Sequence, residues 1–187
     1  MGNNETPASQ PGTSITFKPV EKTNWADFET FFQSRLNYCW CMAWRMTAEE
    51  LKHNTARCRK EFMKARIFSG VPVGLLGYVI DQPVCWCSVA PRETYRRLSG
   101  DESLENVWSI VCFYIQNEYR NQGMVKLLIE NAKKYAKENG AKYLEAYPVD
   151  PDSPSYRFMG FINTFQKMDF TFVKRAGTRR HVMLLKL

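Results

Sequence analysis

A run of β-branched and aromatic residues, NVWSIVCFYIQ over 106–116, gives way within one short polar turn to a helical pattern. Such a run suits a central strand covered on both faces. Over 123–139, Val125, Leu128, Ile129, Ala132 and Ala136 recur at three- and four-residue intervals, the stripe of an amphipathic helix. Gly140 suits its C-terminal cap, and residues 142–148 read as another strand. Strand, helix, strand is a crossover unit, and a crossover joins parallel strands. Whatever else the chain builds, its sheet must hold one parallel pair around the 123–139 helix.

The remaining elements read as hairpins and helices. Residues 13–20 alternate as an opening strand. Trp25, Phe28, Phe31 and Phe32 mark a helix over 23–35. Thr47-Ala-Glu-Glu50 is a capping box opening a second helix that runs to about residue 68. Segments 73–80 and 83–89 form a hairpin about Asp81-Gln82. Residues 92–100 read as a short helix or loop, and 155–168 as loop and short helix. Segments 170–173 and 181–187 pair across a basic turn. The sum is an α/β fold: a mixed, mostly antiparallel sheet of six to seven strands, flanked by helices, with the one parallel pair.

A chain of 187 residues suits one domain, which buries roughly 70% of its unfolded surface and needs no staple. The apolar run 71–80 is too short to span a membrane, and Pro72, Gly74 and Gly77 interrupt it. Residues 1–12 lack the basic flank and apolar stretch of a secretory signal. They match a myristoylation pattern through Gly2 and Thr6, but no second membrane signal accompanies it. They are expected to be a disordered tail before a domain over 13–187, with the cytoplasm as compartment and no membrane partner.

Lys and Arg outnumber Asp and Glu by 26 to 19, a net charge of +7 that favours anionic partners, nucleotide cofactors included. Lys174, Arg175, Arg179 and Arg180 cluster at the last turn. No Lys- or Arg-dense recognition helix and no aromatic RNA-binding motif accompanies them, so no nucleic-acid partner is expected. The six cysteines include two Cys-Trp-Cys segments, at 39–41 and 85–87. Converging pairs would offer four thiolates, but structural zinc sites favour C-x2-4-C turns. Reduced thiols and no metal are expected.

The turn between the central strand and its helix carries Arg120, Asn121, Gln122 and Gly123. The first amides of a helix lack internal partners and stand at its positive end, and a glycine there lets a bound group approach the backbone. That is a cradle for an anion such as a pyrophosphate. It is neither a Walker loop nor a G-x-G-x-x-G fingerprint. The competing reading is an ordinary strand–helix turn.

Arg120-x-x-Gly123-x-Val125 resembles the Q/R-x-x-G-x-G/A signature of the GNAT superfamily of N-acetyltransferases. Phe113-Tyr-Ile115 resembles the strand before that signature. Trp86-Cys-Ser-Val-Ala-Pro-Arg92 and Tyr147-Pro-Val-Asp150 resemble segments of an uncharacterised bacterial subgroup. Residues 165–170 resemble the family's Y-x-x-x-G-F segment, with Phe165 in the place of the tyrosine that often protonates the leaving thiolate and Asp169 in that of the glycine. Val125 replaces a smaller residue. The resemblance spans roughly 13–187 and implies acetyl-CoA as cofactor. Backbone from Gln122 through Gly123, Met124 and Val125 to Lys126 would hold its pyrophosphate, with Arg120 and Asn121 shaping the loop. Phe113, Tyr114 and Ile115 would meet the pantetheine arm, an N–H there polarising the acetyl carbonyl. Asn163 resembles a family position that touches pantetheine.

Transfer to an amine needs a neutral nucleophile and therefore a base. Glu145 shares a strand face with Tyr143 and Tyr147, and a carboxylate among aromatics can act as one. A paired Glu is the competing reading, and Asp150 the second candidate. Tyr147 or Tyr156 would replace the missing acid, or the thiolate leaves unaided. Tyr38, Trp40, Met42 and Trp44 would line an aromatic acceptor pocket suited to an ammonium, with core packing as the alternative for each. The expected function is acetyl transfer from acetyl-CoA to a primary amine, of a small molecule, by direct attack in a ternary complex. The rival is a catalytically weak acyl-CoA-binding module. A homodimer is compatible with the sequence, which fixes no oligomeric state.

Overall fold

The structure, a computed structural model, describes residues 14–33 and 39–187. The tail expected over 1–12, and Tyr38, lie outside the described residues. Seven strands, β1 (Ile15–Pro19), β2 (Leu75–Val79), β3 (Gln82–Pro91), β4 (Val107–Ile115), β5 (Tyr143–Ala146), β6 (Thr171–Ala176) and β7 (Arg180–Lys186), form one sheet. Their order is β1-β2-β3-β4-β5-β7-β6. Only β4 and β5 are parallel neighbours, the pair that the crossover requires.

The helices are α1 (Trp25–Gln33), α2 (Ala48–Leu51), α3 (Ala56–Phe68), α4 (Met124–Glu138) and α5 (Ile162–Gln166). The capping box at Thr47 forms, Thr47 Oγ1 accepting from the Glu50 amide at 3.2 Å and Glu50 Oε2 from the Thr47 amide at 2.8 Å. The helix it opens does not run to residue 68 as expected. It stops at Leu51, and Thr55 caps α3 by accepting from the Cys58 amide at 3.1 Å. The break falls at His53-Asn54-Thr55, residues of modest helix propensity whose polar side chains compete for backbone. Among the described residues no helix is long and apolar enough to cross a membrane.

Alternation along β3 divides the core. Cys85, Cys87 and Val89 face α4 and pack with Leu128, Ile129, Ala132 and Ala136. Trp86 faces the other way, onto Phe28, Phe32 and the 40–46 link. Burying Leu128 and Ile129 contributes about 1.5–3 kcal/mol each. Gly140 closes α4 at φ 82°, a left-handed conformation, its amide bonding to Lys137 O and that of Ala141 to Ala136 O.

Two features of β4 open the sheet. Ser88 faces Cys112 while Val89 faces Ile110, so Val111 is an extra, bulged residue. Such a bulge bends the strand and re-aims the residues beyond it. On the other edge, pairing with β5 ends at Ile110 opposite Ala146. From Val111 to Ile115, β4 therefore presents N–H and C=O groups on an edge that β5 does not cover.

Candidate active site

The strand–helix turn lies at the end of that edge. Arg120 Nε donates to Ile115 O at 3.1 Å, tying the turn to the strand. Gln122 Nε2 donates to Glu118 O at 2.7 Å. Gly123 stands at φ 78°, a conformation that costs other residues about 1–2 kcal/mol. It brings no side-chain cap, and a Cβ added there would meet nothing within 4 Å. The first turn of α4 contains no acid and holds Lys126. Its amides and the helix dipole thus face open space with no carboxylate to answer them.

A groove of about 540 Å³ runs from this turn along β4, lined by Phe113, Tyr114, Ile115, Arg120, Asn121 and Val125 on one side. Arg157, Phe158, Gly160, Phe161 and Thr164 form the other. Six of the residues expected at a cofactor thus lie together. Met124 turns its side chain into the core and offers the groove only backbone. Asn163 is exposed and outside the lining, and its neighbour Thr164 is the α5 residue that faces the groove.

Beside the middle of β4 lies a second cavity of about 230 Å³, lined by Phe32, Cys39, Cys41, Ala43, Trp44, Val111, Cys112, Phe113, Tyr114 and Phe158. Phe113, Tyr114 and Phe158 are walls of both spaces. Of the described residues of the expected acceptor wall, only Trp44 lines it. Trp40 is buried against Trp25 and Phe32, and Met42 is fully buried, so both are core. Residues 39–42 form a turn closed by the Met42 amide on Cys39 O at 2.9 Å, with Trp40 at φ 49° and Cys41 at φ 54°. Two non-glycine residues in the left-handed region cost about 1–3 kcal/mol each, and the aromatic core around Trp40 holds them there.

The expected bases are engaged elsewhere. Glu145 is fully buried and accepts four hydrogen bonds. Arg92 Nε and Ser109 Oγ reach Oε1 at 3.0 and 2.5 Å, Tyr147 OH reaches Oε1 at 2.5 Å, and Arg92 Nη2 reaches Oε2 at 2.6 Å. A carboxylate so enclosed by donors offers no open side to a substrate proton, and Glu145 lines neither cavity. Tyr147 is fully buried, its phenol pushed up by burial and by Glu145. Asp150 shares a hydrogen bond with His181 Nε2 at 3.0 Å and meets Arg175 Nη1 at 3.4 Å. The His181 bond holds its carboxyl below the ordinary value. None of the three is among the residues that line either cavity.

Phe165 also lines neither cavity. It is fully buried, packed on Phe113 and Phe170. The Y-x-x-x-G-F pattern is met instead by Tyr156-Arg-Phe-Met-Gly160-Phe161, of which Arg157, Phe158, Gly160 and Phe161 line the groove. Tyr156 is 38% exposed, its ring 6.2 Å from that of Trp44. The tyrosine is therefore present, and the sequence signal for it lies in a segment whose pattern suggests only loop. Among the described residues no group of three or more His, Cys, Asp or Glu is disposed to hold a metal ion.

The sequence model of the acetyltransferase (GNAT) family matches residues 22–161. No curated protein sequence matches the chain. Among solved structures it is similar to the paia N-acetyltransferase of Thermoplasma acidophilum in complex with coenzyme A, at 14% identity and a TM-score of 0.56, over 93% of this chain and 99% of that one. It is similar to yncA of Salmonella typhimurium with its cofactor acetyl-CoA, at 16% identity and 0.54, over 92% and 94%. A third is the ribosomal-protein-alanine N-acetyltransferase of Brucella melitensis, at 16% identity and 0.54, over 92% and 99%.

Proposed function

The chain belongs to the GNAT acetyltransferase family, and from that premise we propose that it transfers an acetyl group from acetyl-CoA to a primary amine of a small molecule, by direct attack in a ternary complex. The observation that carries this reading is the uncovered edge of β4 standing between two cavities, with the free N-terminus of α4 at the outer end of one. Acetyl-CoA supplies an activated acyl group when bound, and the residues present fit it. Backbone amides of Gly123 to Lys126 receive the pyrophosphate, and Arg120 holds their turn in place. The edge groups of Phe113, Tyr114 and Ile115 pair with the pantetheine amides, and an N–H of that edge polarises the acetyl carbonyl. Thr164 takes the place expected of Asn163. Tyr156 gives a proton to the departing thiolate.

The smaller cavity receives the amine. Its walls are aromatic and sulfurous, with no carboxylate, imidazole or Lys among the described residues that line it. The rings of Phe32, Trp44 and Tyr114 suit an ammonium or its apolar neighbours, and the volume suits a small molecule rather than a protein segment.

The test is turnover of acetyl-CoA with a panel of small primary amines, read as thiol release and as the acetylated product. The expected result is one amine class turned over, with initial-rate patterns that intersect. Tight CoA binding without turnover of any amine would favour the acyl-CoA-binding module.

A further inference from the structure

Three cysteines from two parts of the chain line the smaller cavity: Cys39 and Cys41 from the strained turn, and Cys112 from β4 just past its bulge. Cys41 is the central one. Trp86 Nε1 donates to its sulfur at 3.1 Å from the floor of the sheet. Arg45 sits close by, 2% exposed, and among the described residues its hydrogen-bond partners are neutral oxygens: Val73 O, Ser88 Oγ, Tyr95 OH and Thr94 Oγ1. A buried guanidinium calls for an anion. Hydrogen bonding from the Cys112 thiol and from Trp86, with the charge of Arg45, brings Cys41 down to about 7. Its pairing with Cys41 and its burial push Cys112 well above its ordinary value. Cys85 and Cys87, on the α4 side, are raised by burial and inert.

The geometry therefore sets the Cys41 sulfur in the wall of the cavity that shares Phe113 and Tyr114 with the cofactor groove. We propose that Cys41 is a self-acetylation site, which takes the acetyl group of acetyl-CoA as a thioester when no amine fills the cavity. The inference rests on acetyl-CoA binding as read above. A bond forms between the Cys41 sulfur and the acetyl carbon, and the bond from that carbon to the CoA sulfur breaks. CoA leaves as a thiolate and takes a proton from Tyr156 or from water. One thioester replaces another, so no oxidant or further reactant is needed. An amine seated against Trp44 and Phe32 stands between Cys41 and the acetyl group, so acceptor binding protects the thiol.

The test uses the full chain with acetyl-CoA alone, quenched in acid and weighed intact. The expected result is one added acetyl group that neutral hydroxylamine removes and that maps to Cys41. Its rate of appearance rises with pH through about 7, following the thiolate. Cys41→Ser abolishes the hydroxylamine-labile acetyl. Mapping on the unaltered chain carries the assignment if that variant does not fold. Acetyl-CoA binding is measured by calorimetry in the same sample. Binding without a labile acetyl at Cys41, or a labile acetyl at another cysteine alone, overturns the inference and leaves the functional reading standing. Absence of acetyl-CoA binding overturns both.

Discussion

The carboxylate of Glu145 and the thiol of Cys41 both lie buried within reach of an arginine, yet their surroundings are opposite. Glu145 is closed on every side: two bonds from Arg92, one from Ser109 and one from Tyr147 occupy its oxygens. Gly100 presses on the same knot, where a Cβ would run into the Glu145 carboxylate and the Tyr147 hydroxyl. Cys41 is held from behind by Trp86 and lines a cavity in front. A buried ionisable group with all its partners in place is a fastener. A group with an open side, next to a strand edge that β5 leaves uncovered, is where chemistry can enter. By residue type alone the two would be ranked the other way, since a carboxylate is the ordinary base.

The sharpest way to break this contrast is to undo the closed site. Arg92→Leu leaves the fully buried Glu145 without its cation, and removing one partner of such a pair costs about 3–5 kcal/mol. The urea midpoint is expected to fall with the slope unchanged, while CoA affinity of the folded protein stays as it was. Full stability with lost turnover would return Glu145 to the chemistry. A smaller effect is expected on the open side. Trp44→Ala removes one aromatic wall, worth about 0.5–2 kcal/mol to a cationic acceptor, or roughly two- to thirty-fold in its KM. The KM for acetyl-CoA should not move, and a shift there would dissolve the division into groove and acceptor cavity.

Those parts of the fold set by local pattern are legible in the sequence. The run 106–116, the stripe from Val125 to Ala136 and the caps at Thr47 and Gly140 are each read within one turn or strand. They lead to the parallel pair and to the turn at Arg120 and Gly123. The failures involve distance. Arg92 meets Glu145 across 53 residues and Ser109 meets it across 36, and no alternation rule reveals such partners. Alternation does place Glu145 on the face of Tyr147, and that same placement closes it off. Cys112 joins Cys39 and Cys41 only because β4 bulges at Val111. Trp40 and Met42 look like pocket residues by composition, but the 39–42 turn sends them into the core and leaves its sulfurs facing the cavity. The tyrosine motif at 156–161 is a different kind of miss, visible in the residues but sought nine positions too late.

The central claim is that the turn opening α4 holds the pyrophosphate of acetyl-CoA, and calorimetric titration of CoA into Gly123→Asp tests it most directly. The space beside Gly123 is open, so the variant meets no clash, only the strain of φ 78°. Gly123→Asn, which tolerates that conformation and brings no charge, measures the strain alone. A carboxylate ~4 Å from a phosphate costs about 1 kcal/mol in water-like surroundings and about 4 kcal/mol near a protein surface. The account predicts that the Asp variant binds CoA at least ~5-fold more weakly than the Asn variant. Equal affinity in the two folded variants and the natural chain would place the cofactor elsewhere.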